Sequence, residues 1–233
     1  MPTFQYHPDI LAQFPDLRAA VLVTAELHNV PSPTELQAAF EDEQRATLDR
    51  IGDTPLSQVD TLAAWRAAFR AFGVNPTKYR SAPEALLRRL TKKGDIPSIN
   101  TLVDICNLVS IRYALPVAAF DTRDLDLPVR VHFAEGSERF TPLGESQVEH
   151  PDRGEVVFSD RTGLVVARRW CWRQSDESAA SPSTQQAFFT LEAQHPGGYS
   201  DVQHALEDLL LLLQTYADGT YTSALLGPHN PEI

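Results

Sequence analysis

Hydrophobic residues recur at helical spacing in the first half of the chain and at alternate positions in much of the second half. Apolar residues three and four apart predict amphipathic helices, whereas alternation predicts strands with one buried face. The helical pattern predicts five helices. Four of them end near Ile51, at Gly73, at Gly94 and near Tyr216, and the fifth lies in the stretch 98–110.

Serine residues are predicted to begin three of these helices. Ser32-Pro33-Thr34-Glu35 and Ser81-Ala82-Pro83-Glu84 both place a serine three residues before a glutamate, which is the spacing of a capping box. Ser200 is predicted to cap the last helix.

The period of the pattern changes to two after Pro116. An apolar, β-branched run earlier in the chain, at 19–24, also predicts a strand. Residues 160–163, Asp-Arg-Thr-Gly, predict a hairpin turn. The strands after Pro116 are predicted at 116–120, 129–134, 139–142, 155–159, 164–172 and 187–192.

The order of these elements predicts an α+β fold, because most helices come first and antiparallel strands follow. We expect a mostly antiparallel β-sheet flanked by helices, in a single domain over 1–233. Its helix-rich part covers about 1–115, its strand-rich part about 116–195, and its C-terminal helix about 200–217.

A polar stripe runs along the helix in 98–110, beside an apolar face. Asn100, Asp104 and Asn107 lie three and four residues apart on it. Amides and a carboxylate on a mostly buried helix need partners. The stripe therefore favours either a polar ligand site or a hydrogen-bond network that supports one, and the alternative is an ordinary amphipathic helix with satisfied polar residues.

A tryptophan-rich segment, Arg168-Arg169-Trp170-Cys171-Trp172-Arg173-Gln174-Ser175, is the second candidate site. A continuous strand would place Arg168, Trp170, Trp172 and Gln174 on one face. Tryptophans flanked by arginines can stack a base or an amino-acid side chain and pair with a phosphate or carboxylate. The alternative is that the tryptophans belong to the core and the arginines are edge charges.

The net charge of −11 weighs against a broad nucleic-acid-binding surface. One stretch differs, because it holds eight basic residues and a single acid, Glu84. It could hold a short piece of RNA backbone, although an ordinary solvated helix face is equally compatible with it. The eight are Arg66, Arg70, Lys78, Arg80, Arg88, Arg89, Lys92 and Lys93.

Several classes of protein are not indicated by this sequence. No apolar run approaches the ~20 residues of a membrane helix, and no signal peptide is visible, so a cytoplasmic protein without membrane contact is expected. Two cysteines form no disulfide framework. The seven histidines show no metal-ligand spacing, there is no P-loop or G-x-G-x-x-G, and no metal or cofactor is predicted.

The stretch 98–110 and the following Leu115-Pro116-Val117-Ala118-Ala119-Phe120-Asp121 together resemble the editing module of the bacterial phenylalanyl-tRNA synthetase beta subunit, its B3/B4 domains. In that module a helix of the form I-D-P-V-V-D-V-T-N-Y-V runs into Q-P-M-H-A-F-D. The segment R-W-x-W-R-x-S, Trp65-Arg66 and Lys78-Tyr79-Arg80-Ser81 are similar to free-standing members of the same family, as are 140–144 and 154–157.

The resemblance implies the family's fold and a pocket that recognises an aminoacyl group. The editing module hydrolyses tyrosine mischarged onto phenylalanine tRNA, with a His and a Glu among its site residues. The His position matches Ala118 here, and the Glu position falls near Arg173. Both signature side chains are therefore expected to be absent, and an arginine there would favour a carboxylate or phosphate over an amino group.

We therefore expect a stand-alone module that recognises an aminoacyl-tRNA 3′ end or a similar ester, with hydrolysis by a positioned water as the candidate reaction. Asn107 and Asp104 are the predicted positioning residues. The alternatives are a non-catalytic module binding RNA or an amino-acid-like ligand, and an enzyme acting on a free small molecule. A complete synthetase is not expected, because its arginine motifs are missing. Predicted ligand contacts are Asn100, Phe120, Arg168, Trp170, Trp172, Arg173 and Gln174.

Overall fold

The computed structural model describes residues 2–233. Within them the chain forms six α-helices and nine β-strands. The helices are α1 (Pro8–Gln13), α2 (Thr34–Ile51), α3 (Asp60–Ala71), α4 (Ala82–Lys93), α5 (Thr101–Tyr113) and α6 (Gly198–Tyr216). The strands are β1 (Phe4–Tyr6), β2 (Arg18–Ala25), β3 (Val117–Asp121), β4 (Val129–Phe133), β5 (Val156–Ser159), β6 (Val165–Arg168), β7 (Arg173–Gln174), β8 (Ala187–Ala193) and β9 (Thr220–Leu226).

The strands form two sheets. One has five strands in the order β1-β4-β5-β6-β7, and the other has four in the order β3-β8-β2-β9. All pairings are antiparallel except β1 with β4. The predicted α+β class with mostly antiparallel sheets flanked by helices is therefore confirmed.

The central strands of the four-stranded sheet, β8 and β2, are buried on both faces, which explains why they are almost continuously apolar. Along β8, Phe189 and Leu191 pack into a cluster with α2, α4, α5 and α6. The alternate residue Phe188 packs into a second cluster, with the five-stranded sheet, α1 and α3. The order of layers is therefore helices, four-stranded sheet, five-stranded sheet.

Two predicted strands are wrong in part or whole. The strand expected over 164–172 ends at Arg168, and a turn precedes β7. Residues 139–142 form isolated bridges only, at Arg139, Phe140 and Pro142. The hairpin predicted at 160–163 does connect two antiparallel strands, β5 and β6. Strands β1 and β9 were not predicted, because β1 has only three residues and β9 shows no clear alternation of apolar residues.

The predicted serine caps are wrong at Ser32 and Ser200, because Pro33 is the N-cap residue of α2 and Gly197 that of α6. Ser81 is the N-cap residue of α4, as predicted, but its side chain makes no capping hydrogen bond. The Ser32 hydroxyl instead donates to Asp104 of α5, 2.6 Å away. The Ser32 hydroxyl is therefore bonded to a residue far along the chain and not to the backbone at the start of α2. Among the described residues, no helix combines the length and the apolar character that crossing a membrane requires.

Candidate active site between the two sheets

A cavity of about 200 Å³ lies where α5, β3 and β8 meet the turn between β6 and β7. Its apolar wall includes Phe120, Phe158 and Trp170, which belong to the cluster between the sheets. Its polar lining comes from five side chains on three elements, α5, β7 and β8. These are Asn107, Arg173, Gln174, Thr190 and Glu192.

Glu192 is the buried carboxylate of this cavity. On β8, Phe188, Thr190 and Glu192 alternate with apolar residues that face the helices, so Glu192 faces the other sheet. Its side chain is 1% exposed. Oε1 accepts hydrogen bonds from the Tyr6 hydroxyl at 2.6 Å and from the Trp170 indole nitrogen at 2.8 Å. Oε2 has no such partner among residues 2–233, and a ligand or water in the cavity can supply one.

The pKa of Glu192 is raised by burial to about 7, although the hydrogen bonds from Trp170 and Tyr6 act in the opposite direction. A carboxyl group with a pKa near neutrality can both take up and release a proton at neutral pH. Burial, and secondarily the charge of Glu192, raise the pKa of the Cys171 thiol well above its ordinary value. The thiol is therefore protonated, and Glu192 is the better base of the two.

The turn between β6 and β7 has an unusual backbone. Arg169 and Trp170 have φ angles of 47° and 61°, in the left-handed region that residues with a Cβ rarely adopt. Two hydrogen bonds hold the turn in place: the Arg169 amide donates to Glu155 at 3.0 Å, and the Trp170 amide donates to the Val156 carbonyl at 2.7 Å. Strain of this kind concentrates at functional sites and is maintained by the surrounding structure.

This turn corrects the predicted side-chain arrangement of the tryptophan segment. Trp170 points into the core, where it meets Trp65 and Phe14 edge-to-face at 5.3 and 4.8 Å. Trp172 is half-buried beside Tyr79, with ring centroids 4.9 Å apart. The two tryptophans therefore do not share a strand face, and only Trp172 offers a partly exposed ring at the cavity.

Cationic groups and aromatic rings alternate beside the cavity. Arg169 stacks on both Tyr79 and Trp172, with its guanidinium carbon 3.9 and 4.5 Å from the two ring centroids. Arg173 lies over Trp172 at 4.6 Å, and Lys78 over Tyr79 at 4.9 Å. Of the arginines in this group, Arg169 also pairs with Asp152 and Glu155. Arg173 is exposed and has no acidic partner within residues 2–233.

Asn107 and Gln174 line the cavity in different ways. Gln174 uses its amide nitrogen within the fold, donating to the carbonyls of Ala119 at 2.8 Å and Ser178 at 2.7 Å. Asn107 is half-buried, and its amide has no hydrogen bond to another residue in the described part of the chain. Asn107 therefore keeps both a donor and an acceptor for a ligand or water.

Three predicted site residues lie outside the cavity. Asn100 caps α5, accepting from the Val103 amide at 3.1 Å. Asp104 is fully buried and accepts from Ser32, from Ser98 and from the Ile99 amide at 2.8 Å. The side chains of Asn100 and Asp104 therefore make their hydrogen bonds within the protein and do not reach the cavity.

Arg168 is the third of them. Its guanidinium lies in an ion-pair cluster, with Nε 2.9 Å from Glu155 and one terminal nitrogen 2.5 Å from Glu149. Arg168 and Glu155 are both buried. The remaining predicted contacts, Phe120, Trp170, Trp172, Arg173 and Gln174, all line the cavity together with Asn107.

The eight basic residues separate into two groups. Arg66 is an ion-pair partner of buried Glu84 at 2.7 Å, Arg80 lies 3.9 Å from the same carboxylate, and Arg89 is 3.6 Å from Asp95. The others are exposed and form no ion pair among residues 2–233. These are Arg70, Lys78, Arg88, Lys92 and Lys93.

Sequence reasoning missed Glu192, Thr190 and Tyr6. The sequence did contain one indication of the first two. In the apolar strand Phe188-Phe189-Thr190-Leu191-Glu192, two polar residues stand at alternate positions, on the same side as Phe188. Ala118, which the resemblance places at the editing histidine, lines the same cavity and pairs with Thr190 across β3 and β8. No cluster of His, Cys, Asp and Glu that could hold a metal occurs among residues 2–233.

Comparisons with known proteins agree on one family. A family model described as the B3/4 domain matches residues 64–217. The phenylalanine–tRNA ligase beta subunit of Idiomarina loihiensis is 27% identical over 186 residues, which cover 76% of this chain and 22% of that subunit. The beta subunit from Shewanella oneidensis is 29% identical over 94 residues, covering 40% of this chain and 12% of its own length. The chain thus spans about a fifth of the length of the first of these relatives.

Among solved structures, an N-terminal fragment of the phenylalanyl-tRNA synthetase beta subunit from Pyrococcus horikoshii aligns with a TM-score of 0.47 and 11% sequence identity. The alignment covers 96% of this chain and 53% of that one.

Proposed function

This chain belongs to the B3/4 domain family, and we propose that its cavity binds the aminoacyl group of an aminoacyl-tRNA 3′ end, or of a similar ester, and promotes its hydrolysis. The observation that carries the proposal is Glu192, a buried carboxylate with a pKa of about 7 at a largely apolar cavity. A base that is half ionised at neutral pH is suited to activating a water molecule.

The reaction that this site supports is ester hydrolysis by water. Glu192 takes a proton from the water as its oxygen attacks the ester carbonyl, and the leaving alcohol carries the proton away when the C–O bond breaks. Asn107 can hold the water or the amino-acid backbone, because its amide groups have no partner within the described chain. The apolar wall accommodates the side chain of the amino acid.

The mouth of the cavity supports recognition of the nucleotide that carries the ester. Trp172 offers a partly exposed ring on which a base can stack, and the unpaired guanidinium of Arg173 can bind a phosphate. Lys78 adds a second free charge beside Tyr79. These groups neighbour the cavity, which suits a ligand with an aminoacyl part and a nucleotide part.

The exposed bases of α3 and α4 support contact with tRNA phosphates further from the ester. Arg70, Arg88, Lys92 and Lys93 are free, and Arg89 has only an exposed partner, Asp95. The relatives are named phenylalanine–tRNA ligase beta subunits, which makes tRNA the RNA to test first. Charging of tRNA is not proposed, since this chain corresponds to about a fifth of the first relative.

A non-catalytic binding module is the second candidate. Ala118 favours it, because a methyl group stands where the editing module has a histidine. Under this candidate the same ligand binds, while Glu192 only accepts a hydrogen bond from it. The third possibility, action on a free amino-acid-like molecule, draws support from the net charge of −11.

Deacylation of a panel of aminoacyl-tRNAs tests the proposal. We expect at least one ester to be hydrolysed faster with protein than without it, and the Glu192→Gln variant to lose about 100-fold or more of that acceleration. Glu145→Gln, at an exposed glutamate, is the matched control and should retain full activity. Saturable binding without any hydrolysis would favour the non-catalytic module, and an equally active Glu192→Gln variant would remove Glu192 as the base.

A further inference from the structure

A serine and a histidine meet on the outer face of the five-stranded sheet, on the side away from the first cavity. The Ser159 hydroxyl on β5 lies 2.7 Å from Nε2 of His132 on β4. The other ring nitrogen, Nδ1, lies 3.0 Å from the Phe133 carbonyl oxygen. A carbonyl only accepts, so Nδ1 carries the hydrogen, and in the neutral ring Nε2 is then the acceptor for the serine hydroxyl.

This tautomer makes the pair chemically competent. A serine becomes a nucleophile when an adjacent base accepts its proton and a third group holds that base in orientation. Here Ser159 is the nucleophile, His132 the base, and the Phe133 carbonyl the orienting group. The three positions have the hydrogen-bond distances that such sites require.

A groove next to the pair provides space for a substrate. It has a volume of about 720 Å³ and is lined by Ser159, His132, Arg130 and Gln5, among other mostly polar residues. In the register of β1, β4 and β5, Gln5 pairs with Arg130 and Arg130 pairs with Ser159, so these side chains form one row across the sheet. The register of β5 against β6 shifts at Phe158–Ser159, and irregularities of this kind often redirect side chains beside active sites.

Arg130 is the residue of the groove that can bind an anionic group of a substrate, although the lining also holds the carboxylates of Asp9, Glu135 and Asp160. It is exposed and has no acidic partner among residues 2–233. The Arg130 guanidinium donates to the side-chain amide oxygen of Gln5 at 3.0 Å, when the Gln5 amide is oriented with its oxygen towards these donors. Arg161, also in the groove, is held by Asp126. Arg130 is therefore the cation available to an incoming anionic group.

We propose that Ser159 and His132 form a nucleophilic site that cleaves small carboxyl esters bearing an anionic group, which Arg130 binds. Oγ of Ser159 attacks the ester carbonyl carbon while its proton moves to Nε2 of His132. The bond to the leaving alcohol then breaks, and the alcohol takes that proton. Water cleaves the acyl-serine in the same way: His132 accepts its proton and returns it to Oγ, and the free acid departs.

The test uses the full chain and needs neither tRNA nor the first cavity. Wild-type protein is treated with a fluorophosphonate, and the labelled peptide is identified by mass spectrometry. We expect labelling at Ser159, with a rate that falls about 100-fold or more in His132→Gln, because the base is lost. His150→Gln, which removes a histidine outside the groove lining whose hydrogen bond is to the Glu138 backbone carbonyl, should label at the wild-type rate.

A second measurement follows ester turnover. The mono-4-nitrophenyl ester of glutaric acid should be hydrolysed faster than 4-nitrophenyl acetate, and Arg130→Gln should remove that difference between the two esters. Ser159→Ala should hydrolyse neither, and its circular dichroism spectrum checks the fold. Labelling of folded wild-type protein only at other serines, no labelling at all, or an unaltered rate in His132→Gln would overturn the proposal and identify the pair as a structural hydrogen bond.

Discussion

Replacing Glu192 by glutamine should change how the free energy of unfolding depends on pH. The ordinary pKa of a glutamate is 4.5, and burial raises the pKa of Glu192 in the folded protein to about 7. The folded state therefore binds the proton more tightly than the unfolded state. The wild-type protein loses stability as the pH rises from about 4.5 to about 7, and no further loss from this group follows above that range.

The size of this loss follows from the two pKa values. They differ by about 2.5, and one pKa unit corresponds to about 1.4 kcal/mol, so ionised Glu192 costs the folded state about 3 kcal/mol at pH 8. Glutamine has nearly the same shape, and its carbonyl oxygen can still accept from Tyr6 and Trp170. Glu192→Gln should therefore gain stability relative to wild type between pH 5 and pH 8.

Urea unfolding at pH 5, 6, 7 and 8 measures this difference. Any pH-independent cost of the glutamine NH₂ group shifts all four values equally, so only the slope of the difference is diagnostic. Glu145→Gln serves as the control, because an exposed carboxylate should give a nearly flat difference. A flat difference for Glu192→Gln as well would show that the carboxylate is not held in the proposed environment.

Other predictions concern the cavity, the ion-pair cluster and the basic helices. Asn107→Ala should unfold at nearly the wild-type midpoint and lose ligand affinity. A decrease of about 1–3 kcal/mol in the free energy of unfolding, the cost of an unpaired buried partner, together with normal binding would show that Asn107 serves packing and not the ligand site. Arg168→Met should cost about 1.5–3 kcal/mol in urea unfolding, because it removes the closer of the two guanidinium partners of buried Glu155 and leaves only Arg169, at 3.6 Å; a variant as stable as wild type would contradict this. Changing Arg88, Arg89, Lys92 and Lys93 to Glu should abolish RNA binding at unchanged melting temperature, and wild-type binding should weaken about tenfold or more between low and physiological salt; binding indifferent to salt would contradict the assignment. Tyrosine should not be released rapidly from phenylalanine tRNA, because the resemblance places Ala118 where the editing module has its histidine; rapid, tRNA-specific release of tyrosine would refute this argument.

The helices and the fold class were predictable because local patterns determine them. Leu62, Trp65 and Phe69 lie on one face of α3 at helical spacing, and all three are buried. Likewise, the apolar alternation of β4 and the short apolar run of β5 each appear within four or five residues of sequence. Such patterns need no knowledge of distant partners.

The turn after β6 was not predictable in the same way. Arg169 and Trp170 adopt left-handed backbone angles without being glycine or asparagine, so no local residue type indicated a turn there. The contacts that hold the turn come from Glu155 and Val156 on a different strand. Tertiary contacts thus overrode the strand propensity of the segment.

The candidate site was predictable only in part for a related reason. Asn107 and the 170–174 segment were recognised by residue type, and the structure brings them to one cavity. Glu192 gains its partner Tyr6 from a position 186 residues away, so its environment could not be inferred from neighbouring residues. The polar stripe on α5 led to the wrong prediction that Asp104 lines the ligand site. Asp104 instead accepts a hydrogen bond from Ser32, which lies in a distant segment with the sequence of a helix cap.

Binding of hydrolysis-resistant aminoacyl-adenosines, with an amide in place of the ester, tests the central claim most directly. Isothermal titration calorimetry with a panel of amino acids should give saturable binding of at least one member to wild-type protein. Ala118→Leu, which places a larger side chain in the cavity, should weaken that binding about tenfold or more, while Ala85→Leu on the exposed face of α4 should not. Binding that Ala118→Leu leaves intact, or no binding by any member of the panel to folded protein, would contradict the account.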